Sequence, residues 1–191
     1  LYTVAVSVFY GYEGEYRMRV TTASPPWQME REYNDAVTSA WALSVGPGGP
    51  GRQVAQVAGY LAGNDGGDIY RLGALGEGST INLSLAQPAS SGLSANLTIY
   101  DGTGAPVATG APGAASLSYG IGAGAGGTYF AGVSALPGTE GLQSQYLLSF
   151  VLIEATDTAG PSITAVSLGN EGSINNGVVG QFTVEFSEDM E

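Results

Sequence analysis

The chain has 191 residues, 31 of them glycine, and a formal net charge of −12 from 17 acidic against 5 basic side chains. It contains no cysteine, histidine or lysine, which excludes disulfides, zinc–thiolate sites, a Ser-His-Asp triad, a Schiff base and a phosphate-loop lysine. The bases Arg17, Arg19, Arg31, Arg52 and Arg71 are scattered, so there is no basic stripe for nucleic acid, and the groups left for chemistry are hard oxygen ligands of the kind that suit calcium.

Taken in order, the chain reads as strands and turns. Residues 1–22 carry two strand-like runs, Tyr2–Ser7 and Glu15–Val20. They repeat a pattern found at Tyr129–Ser134 and Gln145–Phe150, so 1–22 is expected to be the closing hairpin of a β-sandwich domain preceding a complete copy. A domain-sized repeat is a tandem array rather than a solenoid. A chain that starts at Leu1 inside such a pattern reads as part of something longer.

Residues 23–29, with Pro25-Pro26, are expected to be a stiff linker, and Trp27 is expected to pack between the two domains. Asp35 to Leu43 is the one helical candidate. Beyond it, Ile81, Leu83 and Leu85 alternate with Asn82 and Ser84. Tyr146, Leu148, Phe150 and Leu152 form another period-two row, and so do Phe182, Val184 and Phe186. Such rows predict half-buried strands. Glycine-rich turns separate them at Gly63–Gly67, Asp101–Gly104 and Gly122–Gly127. The reading is an all-β, antiparallel jelly-roll sandwich over 30–154. A turn cluster at Asp157–Pro161 then leads to a further partial β domain over 155–191, with strands near Ser162–Val166 and Gln181–Ser187. No apolar run is long enough to span a bilayer.

Acids are scarce, so their clustering carries information. Glu30, Glu32, Asn34 and Asp35 follow the linker, and Asp65 and Asp68 flank Gly66-Gly67. If Glu30 to Asn34 is extended, Glu30, Glu32 and Asn34 face one way. Three oxygen-bearing side chains in a row repel unless a cation lies among them. The Asp65 turn adds two carboxylates, and together they approach the six to eight oxygens that calcium takes. A solvated acidic surface is the plain alternative. An EF-hand loop and a calcium β-helix are both excluded, because the alternating ligand pattern is missing and the glycine-rich nonapeptide occurs once.

The succession Glu30-x-Glu32-x-Asn34-Asp35, Val57-Ala58-Gly59-Tyr60-Leu61, Asp65-x-x-Asp68-x-Tyr70-x-Leu72 and Leu97–Gly104, closing with the Tyr129 and Tyr146 strands, resembles the bacterial pre-peptidase C-terminal domain. The collagen-binding domains of secreted clostridial collagenases are relatives of that family. The resemblance covers 30–154 and, through the repeat, 1–22. It implies a secreted or surface-located jelly roll that binds calcium through Glu30, Glu32, Asn34, Asp35, Asp65 and Asp68. Tyr33 stands where the family often has proline. The Asp157–Ile163 stretch and Phe186-Ser187-Glu188-Asp189-Met190 resemble the start and a strand end of a bacterial Ig-like domain.

These features predict a non-catalytic, calcium-stabilised structural or adhesive module of a secreted or cell-surface bacterial multidomain protein. Its expected partners are neighbouring domains or like subunits. Two alternatives are an accessory module holding a secreted hydrolase on collagen or polysaccharide, and a subunit of a self-assembling surface layer. No nucleic acid, membrane insertion or enzyme activity is expected. Glu30 and Glu32 sit on a linker with no cleft to make a glycosidase pair.

Overall fold

The computed structural model describes residues 26–63, 65–155, 162–168 and 182–187, and scattered positions before residue 23. The hairpin expected over 1–22, the turn residue Asn64 and the Asp157–Pro161 cluster lie wholly or largely outside the described residues. The chain divides into two units, Leu1–Ala155 and Thr156–Glu191.

In chain order the first unit contains β1 (Trp27–Met29), a single 3-10 turn (Val37–Ser39), β2 (Trp41–Ala42), β3 (Gly46–Pro47), β4 (Arg52–Tyr60), β5 (Asp68–Leu75), β6 (Thr80–Ala86), β7 (Ala95–Tyr100), β8 (Pro106–Thr109), β9 (Ser116–Gly120), β10 (Gly127–Ala135) and β11 (Gln145–Ile153). One sheet runs β1-β4-β11-β6-β9 with β3 also on β4, and the other runs β2-β5-β10-β7-β8. The eight long strands therefore form two antiparallel sheets, 4-11-6-9 and 5-10-7-8, wound as a jelly-roll sandwich. The expectation of a wholly antiparallel fold needs one correction. β1 joins β4, and β2 joins β5, in parallel.

The period-two rows fall as their alternation predicts. In β6, Ile81, Leu83 and Leu85 are buried, and in β11 so are Tyr146, Leu148, Phe150 and Leu152. They meet Leu97, Ile99, Ala131 and Val133 of the opposite sheet in one core. Each fully buried large apolar side chain stabilises the fold by about 1.5–3 kcal/mol.

Two local expectations are corrected. The helical candidate Asp35–Leu43 is a 3-10 turn followed by β2. Val37 and Thr38 are β-branched and disfavour a helix. Trp41 gains more by packing edge-on against Tyr70, at 6.1 Å between ring centroids, and the Leu43 N–H bonds the Arg71 carbonyl. The linker expected over 23–29 is strand from Trp27 on. Trp27 pairs with Gln56 and Met29 with Ala58, because the open edge of β4 offers unpaired backbone groups.

Among its described residues the second unit contains β12 (Ile163–Leu168) and β13 (Phe182–Phe186), an antiparallel pair with Val166 opposite Val184. Among the described residues no helix is long and apolar enough to cross a membrane.

Candidate metal centre

The lead-in from β1 to β2 passes across one end of the sandwich. It is tied to the first sheet where the Glu30 N–H bonds the Ala58 carbonyl at 3.1 Å, and to the second where the Ile69 N–H bonds the Asn34 carbonyl at 2.9 Å. That crossing carries Glu30, Glu32, Asn34 and Asp35 over the end of β4 and the start of β5. Residues 30–34 are irregular rather than a strand, so the alternating face expected for Glu30, Glu32 and Asn34 is replaced by a folded strap.

Two carboxylate triads result. Glu30, Glu32 and Asp68 place oxygens within 4.8 Å of one another, as do Glu32, Asp35 and Asp65, with Glu32 common to both. All five predicted carboxylates therefore come together. Asn34, the sixth predicted residue, is fully buried beside them in sequence. Asp65 also shapes its own turn. Its carboxylate accepts from the Ala62 N–H at 3.3 Å and the Gly67 N–H at 2.8 Å. Gly67 sits at φ +113°, a left-handed conformation that glycine adopts without strain.

Two charges 4.8 Å apart repel by about 3–4 kcal/mol at an effective dielectric near 20. The acids respond by holding protons. Burial, together with the Glu30 charge, pushes the Asp68 carboxyl up to about 9, and burial with the Glu32 charge pushes Glu30 up to about 7. Glu32 is raised by burial and by Asp65 and Asp35.

Two tyrosines complete the arrangement. The Tyr146 hydroxyl donates to Asp68 Oδ2 and lies 3.4 Å from Glu30 Oε2. The Tyr70 hydroxyl meets the Tyr146 oxygen, and with the Tyr146 proton on Asp68 the Tyr70 proton points to Tyr146. Tyr70 is on β5 and Tyr146 on β11, so this chain of hydroxyls bridges the two sheets directly beneath the acids. Tyr70 in turn packs edge-on against Phe150, 5.7 Å away. Glu30 Oε2 also accepts from the Tyr60 N–H at 2.6 Å.

A polar remainder matters most for a cation. Asp68 Oδ1, Asn34 Oδ1 and Asn34 Nδ2 are buried and find no hydrogen-bond partner among the described residues. Leaving such groups unpaired costs about 1–3 kcal/mol each. Asp68 Oδ1, buried without a donor beside four further carboxylates, fits a hard divalent cation of the class that includes calcium.

No protein-family model matches the chain, and no curated protein matches it. Among solved structures, the chain is similar to PliG of Aeromonas hydrophila, a periplasmic lysozyme inhibitor of g-type lysozyme. The TM-score is 0.43 and the identity 18%, covering 60% of this chain and 96% of that one.

Nothing local in the sequence marks Tyr146 or Tyr70 outright as part of this site. One signal was available for Tyr70: Asp68, Tyr70 and Leu72 alternate on one strand, so an acid heads an inward-facing row. Tyr146→Phe keeps the ring and removes the hydroxyl that orients Asp68. It is expected to weaken calcium binding by about tenfold, read by isothermal titration calorimetry, while the far-ultraviolet circular dichroism stays that of the parent.

Proposed function

We propose that the sandwich is a non-catalytic, calcium-stabilised structural or adhesive module of a secreted or cell-surface bacterial protein. The observation that carries this reading is the buried Asp68 Oδ1, unpartnered among the described residues, within a cluster of five carboxylates. Glu30, Glu32, Asn34, Asp35, Asp65 and Asp68 would hold the ion. Bound calcium supplies positive charge that offsets carboxylate repulsion. The residues supply the rest: Glu30 comes from the end of β1, Asp68 from β5 and Asp65 from the intervening turn, so holding them together fastens the lead-in to both sheets. Two triads sharing Glu32 accommodate one ion or two.

A secreted location suits weak sites of this kind, since extracellular modules bind calcium with Kd of about 0.1–1 mM. A chain with a fastened lead-in carries its neighbour in a fixed direction, which is what a rod-like array needs.

Chelation tests the proposal. Calcium at a hundred times its Kd is expected to raise stability by about 2.7 kcal/mol, seen as a higher calorimetric midpoint than in EDTA, and titration calorimetry gives the stoichiometry. Equal midpoints in calcium and EDTA, with no heat of binding, would overturn it.

A further inference from the structure

The opposite end of the sandwich holds a second cleft. On β10, Val133 lies opposite Asp68 whereas Gly127 lies opposite Leu75, so the start of β10 is at the end remote from the carboxylate cluster. There a cleft of about 300 Å³ opens between the turn after β7 and the loop before β10. It is lined by Asp101, Thr103, Tyr119, Ala125, Thr128 and Tyr129 among others.

Its walls are fixed. Asp101 Oδ1 accepts from the Thr103 N–H at 2.8 Å, the Thr103 hydroxyl at 2.6 Å and the Ala105 N–H at 3.1 Å. These donors, the Thr103 hydroxyl first, hold the Asp101 carboxyl below the usual carboxylate range. Among the described residues no hydrogen bond reaches the other oxygen, Oδ2. On the facing wall, the Tyr129 hydroxyl donates to the Ala125 carbonyl at 2.5 Å. The rings of Tyr119 and Tyr129 stand 6.0 Å apart, tilted by 45°.

The cleft thus presents a carboxylate with one open oxygen and the half-buried Tyr119 ring, backed by the buried Tyr129, and among the described residues no arginine lines it. A carboxylate beside aromatic faces attracts an organic cation through charge and through the ring quadrupole. The net charge of −12 draws basic partners toward the whole surface.

We propose that this cleft receives the ammonium or guanidinium end of a lysine or arginine side chain from a basic partner protein. The cation lies against Asp101 Oδ2, and its aliphatic stem runs along Tyr119. The proposal stands apart from the calcium reading.

The test is a two-dimensional amide NMR titration of the full chain with N-acetyl-lysine-N-methylamide and N-acetyl-arginine-N-methylamide. N-acetyl-norleucine-N-methylamide matches the stem without the charge, and methyl glucoside represents a sugar. Expected are saturable shifts at Gly102, Thr103, Gly126 and Gly127 with the two cations only. Affinity should fall at high salt and by about threefold in Tyr119→Leu. Asp101→Asn retains an acceptor for the turn, so that variant should keep the parent spectrum and lose the response. Shifts of equal size with norleucine, a response to methyl glucoside alone, or no saturable shift at those amides would each overturn the proposal.

Discussion

Alanine at Gly59 is expected to disable the candidate cation site and to lower fold stability together. A Cβ built at Gly59 overlaps the Tyr146 ring and hydroxyl, and comes within 2.6 Å of Glu30 Oε2. Neither neighbour has room to retreat. Tyr146 is fully buried in the core, and Glu30 is held by the Tyr60 N–H. Overpacking of this kind costs about 1–3 kcal/mol. The displaced Tyr146 also releases Asp68, so calcium affinity is expected to fall by about 10–100-fold. Urea unfolding in EDTA reads the first effect and titration calorimetry the second. Gly120→Ala serves as the comparison, because a Cβ at Gly120 meets nothing within 4 Å. That variant should match the parent in both measurements, and Gly59→Ala matching it too would refute the steric argument.

The second large effect is a pH dependence that calcium is expected to flatten or reverse. In the metal-free fold the Asp68 carboxyl is raised to about 9 and that of Glu30 to about 7, from ordinary values of 3.8 and 4.5. Between roughly pH 5 and 7 the folded state therefore holds up to two more protons than the unfolded chain, and between 7 and 9 up to one more. Stability falls with rising pH wherever the folded state binds more protons. The midpoint in EDTA is accordingly expected to be highest near pH 5 and to decline through pH 9. Cations bind the deprotonated acids, so calcium affinity rises over the same window. With saturating calcium the decline should flatten or reverse. A metal-free midpoint that rises from pH 5 to 9 would contradict the burial of these acids.

Much of the sandwich was legible because β6 and β11 keep one face apolar, and a period of two has few other readings. The strand order was not legible. Nothing local in β4 says that its neighbours are β11 on one side and a three-residue parallel strand on the other. Trp27–Met29 looked like linker because a short strand on a sheet edge is defined by its partner rather than by its own sequence. Asp35–Leu43 misled for a related reason, since its alanines favour a helix while Trp41 is drawn to the second sheet by Tyr70.

The acids were found because carboxylates stand out in a chain with so few charges. Their arrangement was harder to read. Glu30–Asn34 is not the strand that an alternating face requires but a strap between two sheets, which carries Asp35 to the Asp65 turn and shares Glu32 between both triads. Tyr146 stayed hidden, because it lies 78 positions from its partner Asp68, and only the fold brings them together.

The line of rings from Trp41 through Tyr70 to Tyr146 has an optical consequence. Its last hydroxyl touches a carboxylate of the candidate cation site, and indole and phenol absorb in the near ultraviolet. Terbium, a hard ion that takes the same oxygen ligands as calcium, would sit close enough to collect that excitation and emit it as green luminescence. With an ion in the candidate site the protein would carry its own antenna, and calcium added in competition would extinguish the light without any label being attached.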